Sequence, residues 1–158
     1  MNTTASTEST VRPAHADLNA AAPEVLQAML ALQQAVNQGG LESSLLELVR
    51  LRASQINRCA FCIDMHFREA RTRGEHDHRL YLLDAWEEVS VYSPRERAAL
   101  RWTEALTRLP GEGVPDAVFA AVRPEFTDAE LFQLTLAIVA INGWNRLNVG
   151  FRVPPGGF

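Results

Sequence analysis

The sequence predicts an all-α fold, a single-domain bundle of about six to seven helices, and three observations predict it. Apolar side chains recur at three- and four-residue spacing in segment after segment, the period of an amphipathic helix. Two capping boxes, Ser93 with Glu96 and Thr127 with Glu130, announce helix starts from the sequence alone. No apolar–polar alternation of the kind a half-buried strand needs runs for five residues.

The elements follow in order. Asn19 to Val36 carries Pro23 near its start and Val25, Leu26, Met29, Leu30, Leu32 and Val36 at helical spacing; Gly39 and Gly40 stop it. Glu42 to Ser54 presents a broad apolar face of Leu45, Leu46, Leu48, Val49 and Leu51. Asn57 and Arg58 interrupt the pattern, and a third helix runs through both cysteines to Arg73, before Gly74. His78 to Val89, with Leu80, Leu82, Leu83 and Trp86, reads as a fourth helix. The fifth opens at Ser93 and Pro94 and ends near Leu109. A short helix covers Asp116 to Val122, and a long apolar one opens at Thr127 and reaches Leu147. The run Leu131 to Ile141 is apolar on more than one side, as a central core helix or a subunit contact would be. Residues 154–158 hold prolines and glycines and form a tail, residues 17–153 form the domain, and the polar residues 1–16 read as a disordered lead-in.

At 158 residues and 47% hydrophobic, the chain can bury a real core, and a net charge of -4 with arginines scattered among acids argues against nucleic acid. The N-terminus lacks the apolar stretch of a signal peptide, and no run approaches the ~20 apolar residues that span a bilayer. A cytoplasmic protein with no membrane contact is expected. In that compartment a close cysteine pair is catalytic or metal-binding more often than structural.

That pair is Cys59 and Cys62, in Asn57 to His66, "NRCAFCIDMH". On a helix Cys59, Cys62 and His66 fall at i, i+3 and i+7, one stripe, with His66 i+4 from Cys62 and within reach of it directly or through one water. The reactive species is the thiolate; a neighbouring imidazole can take the thiol proton and a helix N-terminus can stabilise the anion. Two cysteines three apart can also close a disulfide. Ile63 after Cys62 excludes a haem attachment site, and two cysteines are too few for an iron–sulfur cluster. Zinc held by Cys59, Cys62 and His66, with Glu47, His76 or His78 as fourth ligand, stays open, although the second paired knuckle of a structural zinc site is missing. So does a pair of inert core thiols.

Glu47 to His66, "ELVRLRASQINRCAFCIDMH", resembles the signature of the AhpD-like alkylhydroperoxidases within the carboxymuconolactone decarboxylase superfamily: a glutamate on one helix, then C-x-x-C-x-x-x-H opening the next. Glu47, Cys59, Cys62 and His66 fill all four positions, and the later "SPRERAAL" and "INGWNRLNVGFR" are similar to family members too. The resemblance implies an AhpD-like helical subunit that forms dimers, trimers or hexamers. It implies a peroxidase or disulfide oxidoreductase that uses no cofactor and no metal. Cys62 would attack a hydroperoxide, Cys59 would resolve the product, Glu47 and His66 would relay protons, and a lipoyl or thioredoxin-like dithiol carrier would restore the pair. The His66 spacing favours Cys62 as first nucleophile, whereas helix N-terminal placement favours Cys59. One departure is Phe61, which stands where some members carry a second histidine; it implies a weaker relay or a drier pocket suited to organic hydroperoxides.

Other readings stand beside it. The superfamily also holds muconolactone-type decarboxylases that work without the dithiol, and a non-enzymatic redox-sensing or zinc-binding module would use the same cysteines. Taken alone, Glu47 reads as a helix residue on a solvated edge, His76 and His78 as polar helix-start residues, and Asp64 as exposed. Trp144, Asn145 and Arg146 suit packing as well as a pocket wall.

Overall fold

Ten consecutive side chains, Leu45 to Ser54, are buried in helix α2 (Ser43–Ile56), so this helix is wrapped on all sides. The computed structural model describes residues 20–109 and 111–156. The expected lead-in over residues 1–16, the domain start at 17, the helix start at Asn19 and the last two tail residues lie outside them. Helix α1 is Pro23–Asn37, α3 Ala60–Thr72, α4 Asp77–Tyr81, α5 Pro94–Arg108, α6 Asp116–Val122 and α7 Asp128–Gly150. Short 3-10 segments cover Leu83–Glu88 and Arg123–Glu125. The all-α expectation holds.

Helix α2 packs against α3, α5 and α7 and divides the core in two. Leu45, Leu46 and Val49 join Val36, Trp102, Phe126, Leu134 and Ile138 on one side. Leu48 and Leu51 join Leu80, Leu83, Trp86, Tyr92 and Leu100 on the other. Both predicted capping boxes form: Ser93 and Thr127 accept from the backbone N–H of Glu96 and Glu130, whose carboxylates accept from the cap N–H in return. Arg95 spans the boxes to reach Glu42 at 3.0 Å and Glu130 at 2.8 Å. The Thr127 hydrogen bonds and Arg95 hold the Glu130 carboxyl down to about 2.

One expected helix does not form as a single element. The single helix anticipated over His78 to Val89 is instead α4, a 3-10 segment and non-helical backbone at Ala85. The apolar residues explain it: Leu80, Leu83 and Trp86 are all buried and lie three apart, the period of a 3-10 helix, which stacks i and i+3 on one face. Trp86 Nε1–H then donates to Glu104 at 2.8 Å, and the same carboxylate takes the Arg52 Nε–H at 2.7 Å. Helix α7 also runs one turn past its expected end at Leu147, to Gly150.

Two features place the site. Gly143 on α7 faces α1, where the end of the Met29 side chain lies 2.9 Å from the place a Cβ would take. After α7 the chain turns back: Val153 N–H donates to the Asn148 carbonyl at 2.9 Å and Gly156 N–H to Asp64 Oδ2 at 3.0 Å, tying the tail to α3. Asp64 is therefore partly covered and not the open surface residue expected. Among the described residues no helix is long and apolar enough to cross a membrane.

Candidate active site

The α2–α3 corner brings the cysteines into place. Asn57 closes α2, Arg58 adopts a left-handed φ of 54°, and Cys59 becomes the N-cap of α3, its N–H bonded to the Ser54 carbonyl at 3.0 Å. A left-handed arginine is strained by about 1 kcal/mol or more, so the corner needs support. Helix α7 supplies it. Asn57 Nδ2–H donates to Asn142 and Asn145, each at 2.9 Å, and Asn145 donates to Ser54 Oγ at 3.0 Å.

Cys59 and Cys62 are joined as a disulfide, Cα atoms 5.3 Å apart, and each is 1% exposed. Cys59 Sγ accepts from the Cys62 backbone N–H at 3.3 Å, the N-cap hydrogen bond of α3. Cys62 Sγ accepts from Asn148 Nδ2–H, also at 3.3 Å. The hydrogen bond between His66 and Cys62 that their spacing allows is not made; Asn148 occupies that sulfur instead.

His66 turns its Nδ1 to α2. It lies 2.9 Å from Glu47 Oε2 and 3.3 Å from Glu69 Oε2, with both His66 and Glu47 buried. Glu47 is thus far from the solvated edge expected of an acid among leucines. Its other oxygen takes Arg50 at 2.8 Å, Arg73 stands 3.9 Å away, and Arg50 continues to Asn37 of α1. An ionised carboxylate only accepts, so Nδ1 carries the proton and Nε2 is the basic nitrogen. Burial opposes charging of His66, but the hydrogen bonds and negative charge of Glu47 and Glu69 outweigh it and raise its pKa above 6.5. In return the His66 hydrogen bond, against partial burial, holds Glu69 below the usual carboxylate range.

His66 opens onto a cavity of about 400 Å³, whose lining includes neither cysteine nor Glu47. Its apolar lining is Leu26 and Leu30 of α1, Phe61 and Met65 of α3, and Trp144 of α7. Its polar side includes His66, Glu69, Arg50, Arg73 and Asn148. Phe61 makes the wall dry where a second histidine would have made it polar.

Glu47, His66 and Glu69 also gather three donor atoms within 4.8 Å of one another, a set that suits a divalent cation. Arg50 and Arg73 already bring positive charge to the same carboxylate, which disfavours a metal there. The zinc set built on Cys59 and Cys62 is not assembled either, since their sulfurs are bonded to each other and Asn148, not His66, meets Cys62. His76 and His78 lie at the start of α4, His76 as its N-cap and both exposed, outside the cavity lining.

The structure therefore brings the four predicted residues together as two pairs, Glu47 with His66 and Cys59 with Cys62, with no hydrogen bond between the pairs, and three partners join them that the sequence did not single out: Glu69, Arg50 and Asn148. One signal was available for the last. Asn142, Asn145 and Asn148 recur every three residues in an apolar helix, a polar row that must face something polar.

Residues 23–105 match the model of the carboxymuconolactone decarboxylase family. The uncharacterized protein YdfG of Bacillus subtilis (strain 168) is 41% identical over 128 residues, 81% of this chain and 87% of its own. A crystal structure from Agrobacterium tumefaciens, of a protein of unknown function suggested to be an antioxidant defence protein AhpD, superposes with TM-score 0.85. It is 42% identical and covers 90% of this chain and 97% of that one. The debrominase Bmp8 shares the fold at TM-score 0.76 and 14% identity, over 96% and 95% of the two chains.

Proposed function

The chain belongs to the carboxymuconolactone decarboxylase family, and from that membership and the site's geometry we propose that it is a thiol-dependent peroxidase that reduces organic hydroperoxides through Cys59 and Cys62. One observation carries the reading: a cysteine pair at disulfide distance is bonded through Asn148 to the wall of one largely apolar cavity, and His66 of that same wall is paired with the buried Glu47.

The chemistry runs in three steps. The Cys62 thiolate attacks the terminal oxygen of the hydroperoxide; the S–O bond forms as the O–O bond breaks, and the departing alkoxide takes a proton from the His66 imidazolium. Cys59, as thiolate, then attacks the Cys62 sulfur, expelling hydroxide that is protonated to water and closing the disulfide. A dithiol carrier of lipoyl or thioredoxin type reduces it by exchange, which returns both thiols. Glu47 orients the imidazole and stabilises its charged form. Glu69, with a side chain 45% exposed, connects the same Nδ1 to solvent and gives protons a way in and out. A decarboxylase reading has no observation of its own in this site, and it predicts indifference to thiol alkylation.

The same proposal includes self-association. Phe132 and Val139, seven apart on α7, are 69% and 54% exposed, and a second copy would cover them.

The test is direct. Reduced protein mixed with one equivalent of cumene hydroperoxide forms the Cys59–Cys62 disulfide, detected by mass spectrometry, as the alcohol appears. Cys62→Ser abolishes turnover while leaving the helical circular dichroism unchanged; full turnover by that variant would overturn the assignment.

A further inference from the structure

Asn148 joins the cavity to the dithiol, and only one end of its amide is occupied. It lines the cavity, is 5% exposed and donates its Nδ2–H to Cys62 Sγ at 3.3 Å. Its Oδ1 is the one buried side-chain oxygen or nitrogen among the described residues that has no hydrogen-bond partner. The other two asparagines of the row are engaged: Asn145 with Asn57 and Ser54, Asn142 with Asn57, Thr107 and Arg146. A buried carbonyl left unpaired is costly, and leucine would fill the same place without that cost. Its retention beside the reactive sulfur calls for a ligand that donates a hydrogen bond.

We propose that Asn148 holds the oxygen being transferred: its Nδ2–H steadies the Cys62 sulfur while its Oδ1 accepts the O–H of an organic hydroperoxide. The proposal rests on the peroxidase reading and specifies its substrate contact. The sulfur seen in the disulfide stands in for the thiolate of the reduced protein. Opening the disulfide gives that sulfur a negative charge, which a charge-assisted N–H hydrogen bond stabilises, and parts the two sulfurs to make room for an oxygen. When the thiolate takes the terminal oxygen, sulfur is oxidised and the O–O bond is reduced. The proton stays on the transferred oxygen and the alkoxide leaves toward His66. The O–H donates to Oδ1 first as hydroperoxide and then as sulfenic acid, so one acceptor serves both ends of the step. Cys59 has no such side-chain partner, only the backbone N–H of Cys62, so the arrangement makes Cys62 the first nucleophile. Leu26, Leu30, Met65 and Trp144 then take the apolar remainder of the substrate, favouring organic hydroperoxides over hydrogen peroxide.

The experiment uses the full chain carrying Cys59→Ser, in which Cys62 is the only thiol. Thiolate absorbance at 240 nm against pH gives the Cys62 pKa, and stopped-flow mixing with cumene hydroperoxide gives the rate of sulfenic acid formation. Adding Asn148→Leu is expected to raise the Cys62 pKa by about one unit, the effect of one lost charge-assisted hydrogen bond. At a pH where both proteins are fully thiolate, the rate is expected to fall about tenfold, which reports the lost acceptor alone. Asn148→Asp, nearly the same shape, serves if the leucine variant does not fold; it also raises the pKa, because a carboxylate opposes the thiolate. An unchanged pKa overturns the proposal, and so does a shifted pKa with an unchanged rate per thiolate. A Cys59→Ser parent that titrates normally yet ignores every hydroperoxide removes the peroxidase reading itself, a result distinct from the other two.

Discussion

Glu47 Oε2 and His66 Nδ1 lie 2.9 Å apart, with side chains 2% and 6% exposed, and the contact joins two helices across a separation of 19 residues. The pair is bracketed by Arg50 and Arg73 on the glutamate and by Glu69 on the histidine, so five charged or titratable groups share one patch between α2 and α3. Its energetics decide how the site responds to pH.

Because the acids raise the His66 pKa above 6.5, the charged pair stabilises the fold fully below that value. The contribution is lost as pH rises through the raised pKa. Glu47→Gln removes the main acid while burial stays, so the His66 pKa drops and that pH dependence flattens. Because the proposed step uses the His66 imidazolium as proton donor, the basic limb of kcat/KM moves to lower pH in the variant, with a lower plateau. Denaturant titrations and rate profiles between pH 5 and 9 check both. A limb that stays in place would show that His66 is not the titrating acid.

Removing Glu47 should also be expensive at neutral pH. Arg50 is 6% exposed and would keep only Asn37 as a side-chain partner. Breaking a buried pair on one side costs about 3–5 kcal/mol. Glu69→Gln, at a partly exposed site, should cost under about 1 kcal/mol, and any loss of activity it shows then reports proton exchange. Urea midpoints of the two variants separate the cases.

How far the site was legible in the sequence depends on where each residue sits. Glu47, Cys59, Cys62 and His66 lie on two adjacent helices joined by a short corner, so local spacing captures them. Glu69 looks like one more charge on a solvated face until α2 is seen to lie beside it. Asn148 needs the register of α7 against α3, 86 residues away, and a helix that continues beyond its apolar run. Over the 3-10 segment the leucine content reads as α-helical, although a spacing of three favours the tighter helix.

The network behind that segment gives a prediction away from the cavity. Arg52, 4% exposed, and the indole N–H of Trp86 share the Glu104 carboxylate, which these bonds hold below its usual pKa against burial. Glu104→Leu leaves a buried guanidinium with Gln55 and an exposed Asp84, and the indole with nothing. The expected loss is about 3 kcal/mol. Thermal melting should show it, while the rate per folded molecule stays at the parent value. A stable variant would mean that water or Asp84 takes over the pairing.

The outer face of α7 yields the last prediction. Phe132 is 69% exposed and Val139 54%, on the helix whose inner face carries the asparagine row. A helix apolar on both sides reflects either tolerance at the surface or a second contact, and solution mass separates them. If a second copy covers this face, Phe132→Glu places a charge in the contact and shifts the population toward monomer at micromolar concentration, as read by light scattering or sedimentation. Each monomer should keep its melting behaviour, because Phe132 belongs to neither core cluster. Activity then becomes informative: α7 also supplies Trp144 and Asn148 to the cavity, so a weaker contact would loosen that wall and raise KM before it lowered kcat. A wild-type protein that is already monomeric at these concentrations would end the self-association proposal and leave the chemistry of the dithiol untouched.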